Sequence, residues 1–197
     1  TGILHTQSAT ACVAPTSAFD LTGSADDKNV VTLTGPVAGG TLTVTGTLAA
    51  DGKSLTNATY NVVGGACAFT QPAQATVQDF QPITGNYTGN FADADGQVAQ
   101  VSANFSQSTT PDANGNFTLA GTATVSNNPC FPTTVPVSNT QVTGGTFTFT
   151  YGAGGNSVTA TGTFSADATT LTVTSWVSSG SCGADTGLRS TMTRATS

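Results

Sequence analysis

Residues 146–164 read TFTFTYGAGGNSVTATGTF, and this stretch decides the fold. Phe147, Phe149 and Tyr151 alternate with Thr146, Thr148 and Thr150, the period-two spacing of a strand with one apolar and one wet face. Beyond Gly154-Gly155 the pattern resumes, with Val158, Ala160, Gly162 and Phe164 alternating with Thr159, Thr161 and Thr163. Two such runs on either side of a glycine pair predict a β-hairpin. Threonine suits the outer face, because its β-branch fits the pleat and its hydroxyl tolerates water. Gly162 falls at an inward position, which predicts a bend, a bulge or an aromatic ring lying over the backbone.

The hairpin has a twin. Residues 31–64 align without gaps on residues 147–180 at a constant offset of 116, and 12 of the 34 positions are identical. The matches include Gly39/Gly155, Gly46/Gly162, Asp51/Asp167, Leu55/Leu171 and Gly64/Gly180, which an abundance of Thr does not explain; Tyr60 falls on Trp176. Upstream, Cys12 in ACVAPTS meets Cys130 in PCFPTT, and downstream Cys67 meets Cys182 after a one-residue gap. The chain therefore reads as all-β, with two repeat-related antiparallel β-sandwich or barrel units over residues 1–82 and 83–197. The joint lies near Asp79–Thr84, where Gln, Pro and Gly cluster. Asp51-Gly52, Asn114-Gly115 and Gly39-Gly40 mark further turns. Alternation predicts Val31, Leu33, Leu42, Val44 and Leu48 as first-unit core, and Phe147, Phe149, Val158 and Phe164 as second-unit core.

Four cysteines allow three pairings. A duplicated unit that folds on itself joins its own, which predicts Cys12–Cys67 and Cys130–Cys182. Each link would close a loop of more than 50 residues, worth about 4 kcal/mol in the chain-entropy model. Widely spaced cysteines of even number, without C-x-x-C, point to structural disulfides in an oxidising compartment.

The copies are unequal in length. Residues 85–91 and 97–106 supply two further strands before Cys130, whereas only Thr1–Ala11 precede Cys12. The first unit is thus expected to be about two strands short, and exposed sheet edges invite strand addition from another chain. Thr1–Ala11, with Ile3 and Leu4 and no acidic residue, is a candidate segment for that exchange.

Composition narrows the function classes. The 197 residues carry 4 Lys+Arg against 10 Asp+Glu, all ten of them Asp, for a net charge of −6. No basic face can neutralise phosphates, so nucleic acid is not an expected partner. Thr occurs 40 times, while strong helix formers are scarce. No apolar run approaches a membrane span, and Thr1 opens no basic, apolar leader, so a processed chain is expected.

Chemistry-bearing residues are few. His5 is the only imidazole and has no nucleophile constellation around it. Asp26, Asp27, Asp93 and Asp95 could in principle pair for glycoside hydrolysis, but all lie in turn-like sequence, where Asp caps backbone N–H groups. Asp93-Ala-Asp95-Gly96 opens like a calcium loop, yet lacks the later acidic positions. No glycine-rich stretch leads into a helix to cradle phosphate. The T-x-T runs lack the short coil period of an ice-binding lattice, and the sequons at Asn57, Asn86, Asn104 and Asn116 indicate surface position only. The reading assigns no catalytic residue, cofactor or metal; its only site residues are Cys12, Cys67, Cys130 and Cys182.

The runs GNYTGNF (85–91), FTLAGTATVSNNPC (117–130), NSVTATGTFSADATTLT (156–172) and GSCGADTG (180–187) resemble the Cys-containing, Thr/Gly-rich β-repeat domains of bacterial secreted and lipid-anchored surface proteins. That resemblance implies a surface location more than a chemistry. Composition and disulfides are also similar to those of pilins, in which one subunit completes the sheet of the next. Two functions are expected from this stage. The first is a non-enzymatic extracellular structural or adhesive protein, a cell-surface filament subunit polymerised head to tail by strand addition. The second is a small β-barrel binding module for a hydrophobic ligand.

Overall fold

The computed structural model describes residues 2–5, 18–69, 72–75, 77–92, 96, 98–112, 114, 116–126, 128, 131, 134–181, 186–187 and 189–196. The chain divides into two compact units, one over Thr1–Asp79 with Asp112–Gly115, the other over Phe80–Pro111 and Asn116–Ser197. All the regular structure among the described residues is antiparallel β.

In the first unit, β1 (Gly2–His5), β2 (Ala18–Ala25), β3 (Val30–Val37), β4 (Gly40–Leu48) and β5 (Ser54–Val63) pair in chain order. Two short strands, β6 (Ala73–Gln74) and β7 (Val77–Gln78), both pair with β5. The sheet does not close: β1 and β7 each have one strand partner among the described residues. Gly2–His5 is paired to β2 of its own unit. The core is small, made of Leu21, Val37, Leu42, Val44, Val62 and Cys67, with Leu33, Tyr60 and Phe69 half-buried against it.

In the second unit, β8 (Gly85–Ala92), β9 (Val98–Gln107), β10 (Leu119–Ser126), β11 (Val135–Thr143), β12 (Thr146–Ala153), β13 (Asn156–Phe164) and β14 (Thr170–Ser179) also pair in chain order. The strand β16 (Ser190–Arg194) lies between β14 and β8 and closes an eight-stranded barrel. The short β15 (Thr186–Gly187) pairs with β14 outside this ring. Closure leaves no free edge and encloses one apolar core on all sides. Phe105, Phe149, Val101, Leu171, Val173 and Met192 are completely or almost completely buried there.

Of the expected two repeat-related sandwich or barrel units, the all-β class and one closed barrel are present, and the first unit is a separate sheet. Among the described residues only the second closes. The predicted cores follow the same division. Phe147, Phe149, Val158 and Phe164 are all buried, as are Leu42 and Val44, but Val31, Leu33 and Leu48 are only half-buried, with no strand over them among the described residues.

The inward glycines are bulge positions. The β4–β5 ladder slips by one residue between Thr45 and Thr47, and the β13–β14 ladder between Thr161 and Gly162. A Cβ on Gly162 would run into the Thr172 carbonyl and the Phe147 ring. The β3–β4 turn is Ala38-Gly39, with Gly40 already in β4, and matches Gly154-Gly155. Both central residues have positive φ in each (43° and 78°; 60° and 85°), as a type I′ hairpin turn requires.

Cys67 is buried and disulfide-bonded. Cys12, Cys130 and Cys182 lie outside the described residues, so the pairing Cys12–Cys67 and Cys130–Cys182 stands as a proposal.

Candidate ligand site in the closed barrel

The two ends of the barrel differ in how their polar groups are treated. At the end where the chain enters β8, the inward polar groups of the described residues have partners. The Tyr87 hydroxyl donates to the Ala168 carbonyl at 2.6 Å and accepts from Arg194 Nε at 3.2 Å. Arg194 also donates to the Pro82 carbonyl, and its guanidinium lies 5.5 Å from the Tyr87 ring centroid. Ile83 N–H donates to Gln107 Oε1, and Phe80 packs edge-on against Phe164. Burial raises the Tyr87 hydroxyl above its ordinary pKa of 10.0, with Arg194 pulling partly the other way.

The opposite end, bounded by the Gly154-Gly155 turn, is lined by Phe91, Phe131, Tyr151, Val158 and Trp176, all buried. Trp176 reaches this lining because of the bulge. Leu171 and Val173 point inward, the slipped register leaves Thr174 and Ser175 both exposed, and Trp176 turns back into the core opposite Ala160. The methyl of Ala160 leaves room for an indole, which stacks on Phe91 at a centroid distance of 6.3 Å. Trp176 is 9% exposed, and its Nε1 is a buried donor with no hydrogen-bond partner among the described residues. A donor buried in this way costs about 1–3 kcal/mol. Nearby, Tyr151 meets Phe131 edge-on at 5.3 Å. Its hydroxyl pKa is pushed strongly upward by burial. This end therefore gathers aromatic rings around one hydrogen-bond donor that has no partner among the described residues.

The residues singled out from sequence lie elsewhere. Asp26 caps the β2–β3 turn, its Oδ1 accepting from Lys28 N–H at 2.9 Å and Val30 N–H at 2.8 Å. Asp27 is exposed in the same turn. His5 falls in β1, and Asp93 and Asp95 lie outside the described residues. Among the described residues, no three His, Cys, Asp or Glu side chains converge on a metal-sized point. Sequence reading placed Trp176 only as the counterpart of Tyr60; its standing as the single Trp of the chain was the available signal.

No protein-family model matches the chain. No curated protein matches it either. Among solved structures it is distantly similar to a redesigned β-barrel, mFAP1, bound to DFHBI, at 22% identity and a TM-score of 0.39. It is also distantly similar to EF1p2_mFAP2b bound to DFHBI, at 18% identity and a TM-score of 0.38. Each match covers 57% of this chain and 94% of the other. At these scores the likeness carries no argument, and the closed barrel rests on its own strand pairings.

Proposed function

We propose that the second unit is a non-enzymatic binding module for a small, mainly apolar molecule carrying a hydrogen-bond acceptor, in a secreted or surface-anchored protein. One observation carries the reading: a nine-tenths-buried indole N–H, without an acceptor among the described residues, set among Phe91, Phe131 and Tyr151 at one end of a closed barrel. A ligand acceptor would satisfy that donor and recover its desolvation cost. Stacking on Phe91 and Trp176 would supply the apolar contact area.

Because Trp176 is the only Trp, its indole N–H gives a single, assignable NMR resonance. Acetophenone and ethylbenzene form a matched pair of nearly equal size, differing in the carbonyl acceptor. Acetophenone is expected to move the indole resonance downfield and to bind about fivefold more tightly than ethylbenzene, the value of one net hydrogen bond. Trp176→Phe should abolish that difference. The proposal fails if neither compound perturbs the resonance up to its solubility limit, or if both bind equally to the unaltered protein.

A further inference from the structure

Cations are so few in the second unit that each can be placed. They are Arg189 and Arg194. Arg194 is committed at the end where the chain enters β8, with Nε on the Tyr87 hydroxyl and Nη2 on the Pro82 carbonyl. Arg189 is exposed, in phase with the outward Thr191 of β16, whereas Ser190 and Met192 are buried. The end lined by Phe91, Phe131, Tyr151, Val158 and Trp176 draws on neither. The segments of sequence joining β8 to β9 and β14 to β15 carry Asp93, Asp95 and Asp185 and neither Lys nor Arg.

The polar chemistry of this end is donation into dry surroundings. An indole N–H donates and does not accept, and Trp176 Nε1 is nine-tenths buried with no partner among the described residues. Burial pushes the Tyr151 hydroxyl upward, the mark of a place that penalises a negative oxygen. A carboxylate drawn in here would lose its hydration, and one N–H without a cation does not replace it. A neutral carbonyl oxygen loses far less and accepts the same hydrogen bond. The surrounding rings favour an aromatic body for the rest of the molecule.

We infer that this end selects uncharged aromatic carbonyl compounds (ketones, esters or quinones) and rejects carboxylates of the same shape. The inference rests on the reading of this end as a binding site, and adds the charge and functional group of its ligand. It also sets the barrel apart from a carrier of fatty acids or other organic anions, which would need a cation beside the donor.

Acetophenone and benzoate test it, since they have nearly the same shape and a carbonyl acceptor each, but benzoate is an anion at neutral pH. Both are titrated into the full chain at low salt and again at about 1 M NaCl, where the field of the net charge of −6 is screened. Acetophenone is expected to shift the Trp176 indole resonance, and benzoate to bind at least about tenfold more weakly at both salt concentrations. Benzoate binding as tightly as acetophenone, or more tightly, would overturn the inference alone and leave this end a site for another ligand class. A preference for acetophenone that vanishes at high salt would also overturn it, because long-range charge and not the site would then be selecting. If neither compound moves the resonance, the reading of this end as a binding site fails, and the inference with it.

Discussion

Leu33 and Phe149 occupy matching places in two hairpins 116 residues apart, yet Phe149 has 0% exposure and Leu33 is only half-buried. Their strands begin and end alike, turn through the same type I′ geometry and slip register at the same point. Local grammar therefore sets strand, turn and bulge, while closure and full burial depend on which strands arrive from elsewhere. In the second unit β8 and β9 bring Tyr87, Phe91, Val101 and Phe105 over the sheet. In the first unit no described strand does so.

The sharpest way to break this comparison is to truncate both residues. Phe149→Ala should cost about 3–5 kcal/mol, because it opens a void in an enclosed core. Leu33→Ala should cost less, about 1–2 kcal/mol, since a half-buried side chain at the rim of a small core leaves a smaller void. Trp176 emission follows denaturation of the second unit alone, and far-ultraviolet circular dichroism follows both. Equal costs would mean that the first-unit face is enclosed after all.

Alkaline titration is expected to separate the units next. Burial raises the Tyr151 and Tyr87 hydroxyls above the ordinary value of 10.0. Between pH 10 and their folded values the unfolded chain has lost protons that the folded chain still holds. Their stabilising contribution is thus complete below pH 10 and declines as pH rises beyond it. The unfolding midpoint reported by Trp176 should fall above pH 10, and less steeply in Tyr151→Phe.

The matched glycines sharpen the comparison further. Gly162→Ala should cost about 2–3 kcal/mol by overpacking against the Thr172 carbonyl and the Phe147 ring. At Gly46 the new methyl meets Leu55 and Ala58 at 3.0–3.1 Å in a less crowded core, and about 1 kcal/mol is expected. The turn caps should differ least. Asp51 Oδ1 accepts only from Lys53 N–H, whereas Asp167 Oδ1 accepts from Thr169 N–H, Thr169 Oγ1 and Ser165 Oγ. Replacement by Ala should cost about 0.5 kcal/mol at Asp51 and about 1 kcal/mol at Asp167 in urea denaturation.

Much of the fold was legible because threonine marks the outer face so regularly. The alternation around Phe147 and Val158 gave both strands, the Gly154-Gly155 turn and the buried set. The candidate site was not legible for a specific reason. Counting by twos from Leu171 puts Ser175 and Val177 inside and Trp176 outside, but the ladder slip resets the phase, so Val177 is exposed and the indole turns inward. Gly162 warned of a bulge, not of which residues it would re-aim. The half-exposure of Val31, Leu33 and Leu48 escaped alternation for a related reason: periodicity identifies the apolar face of a strand but carries no information about what covers it.

The central claim is that the second unit is a closed barrel, whereas β1 and β7 of the first each pair with a strand on one side among the described residues. Residue-resolved amide hydrogen exchange tests it most directly by comparing β1 and β7 with β10 and β16 of the barrel. The account predicts exchange in β1 and β7 faster by roughly a hundredfold or more, because each strand has a partner on one side only among the described residues. Equal protection of the two pairs in the isolated protein would contradict it.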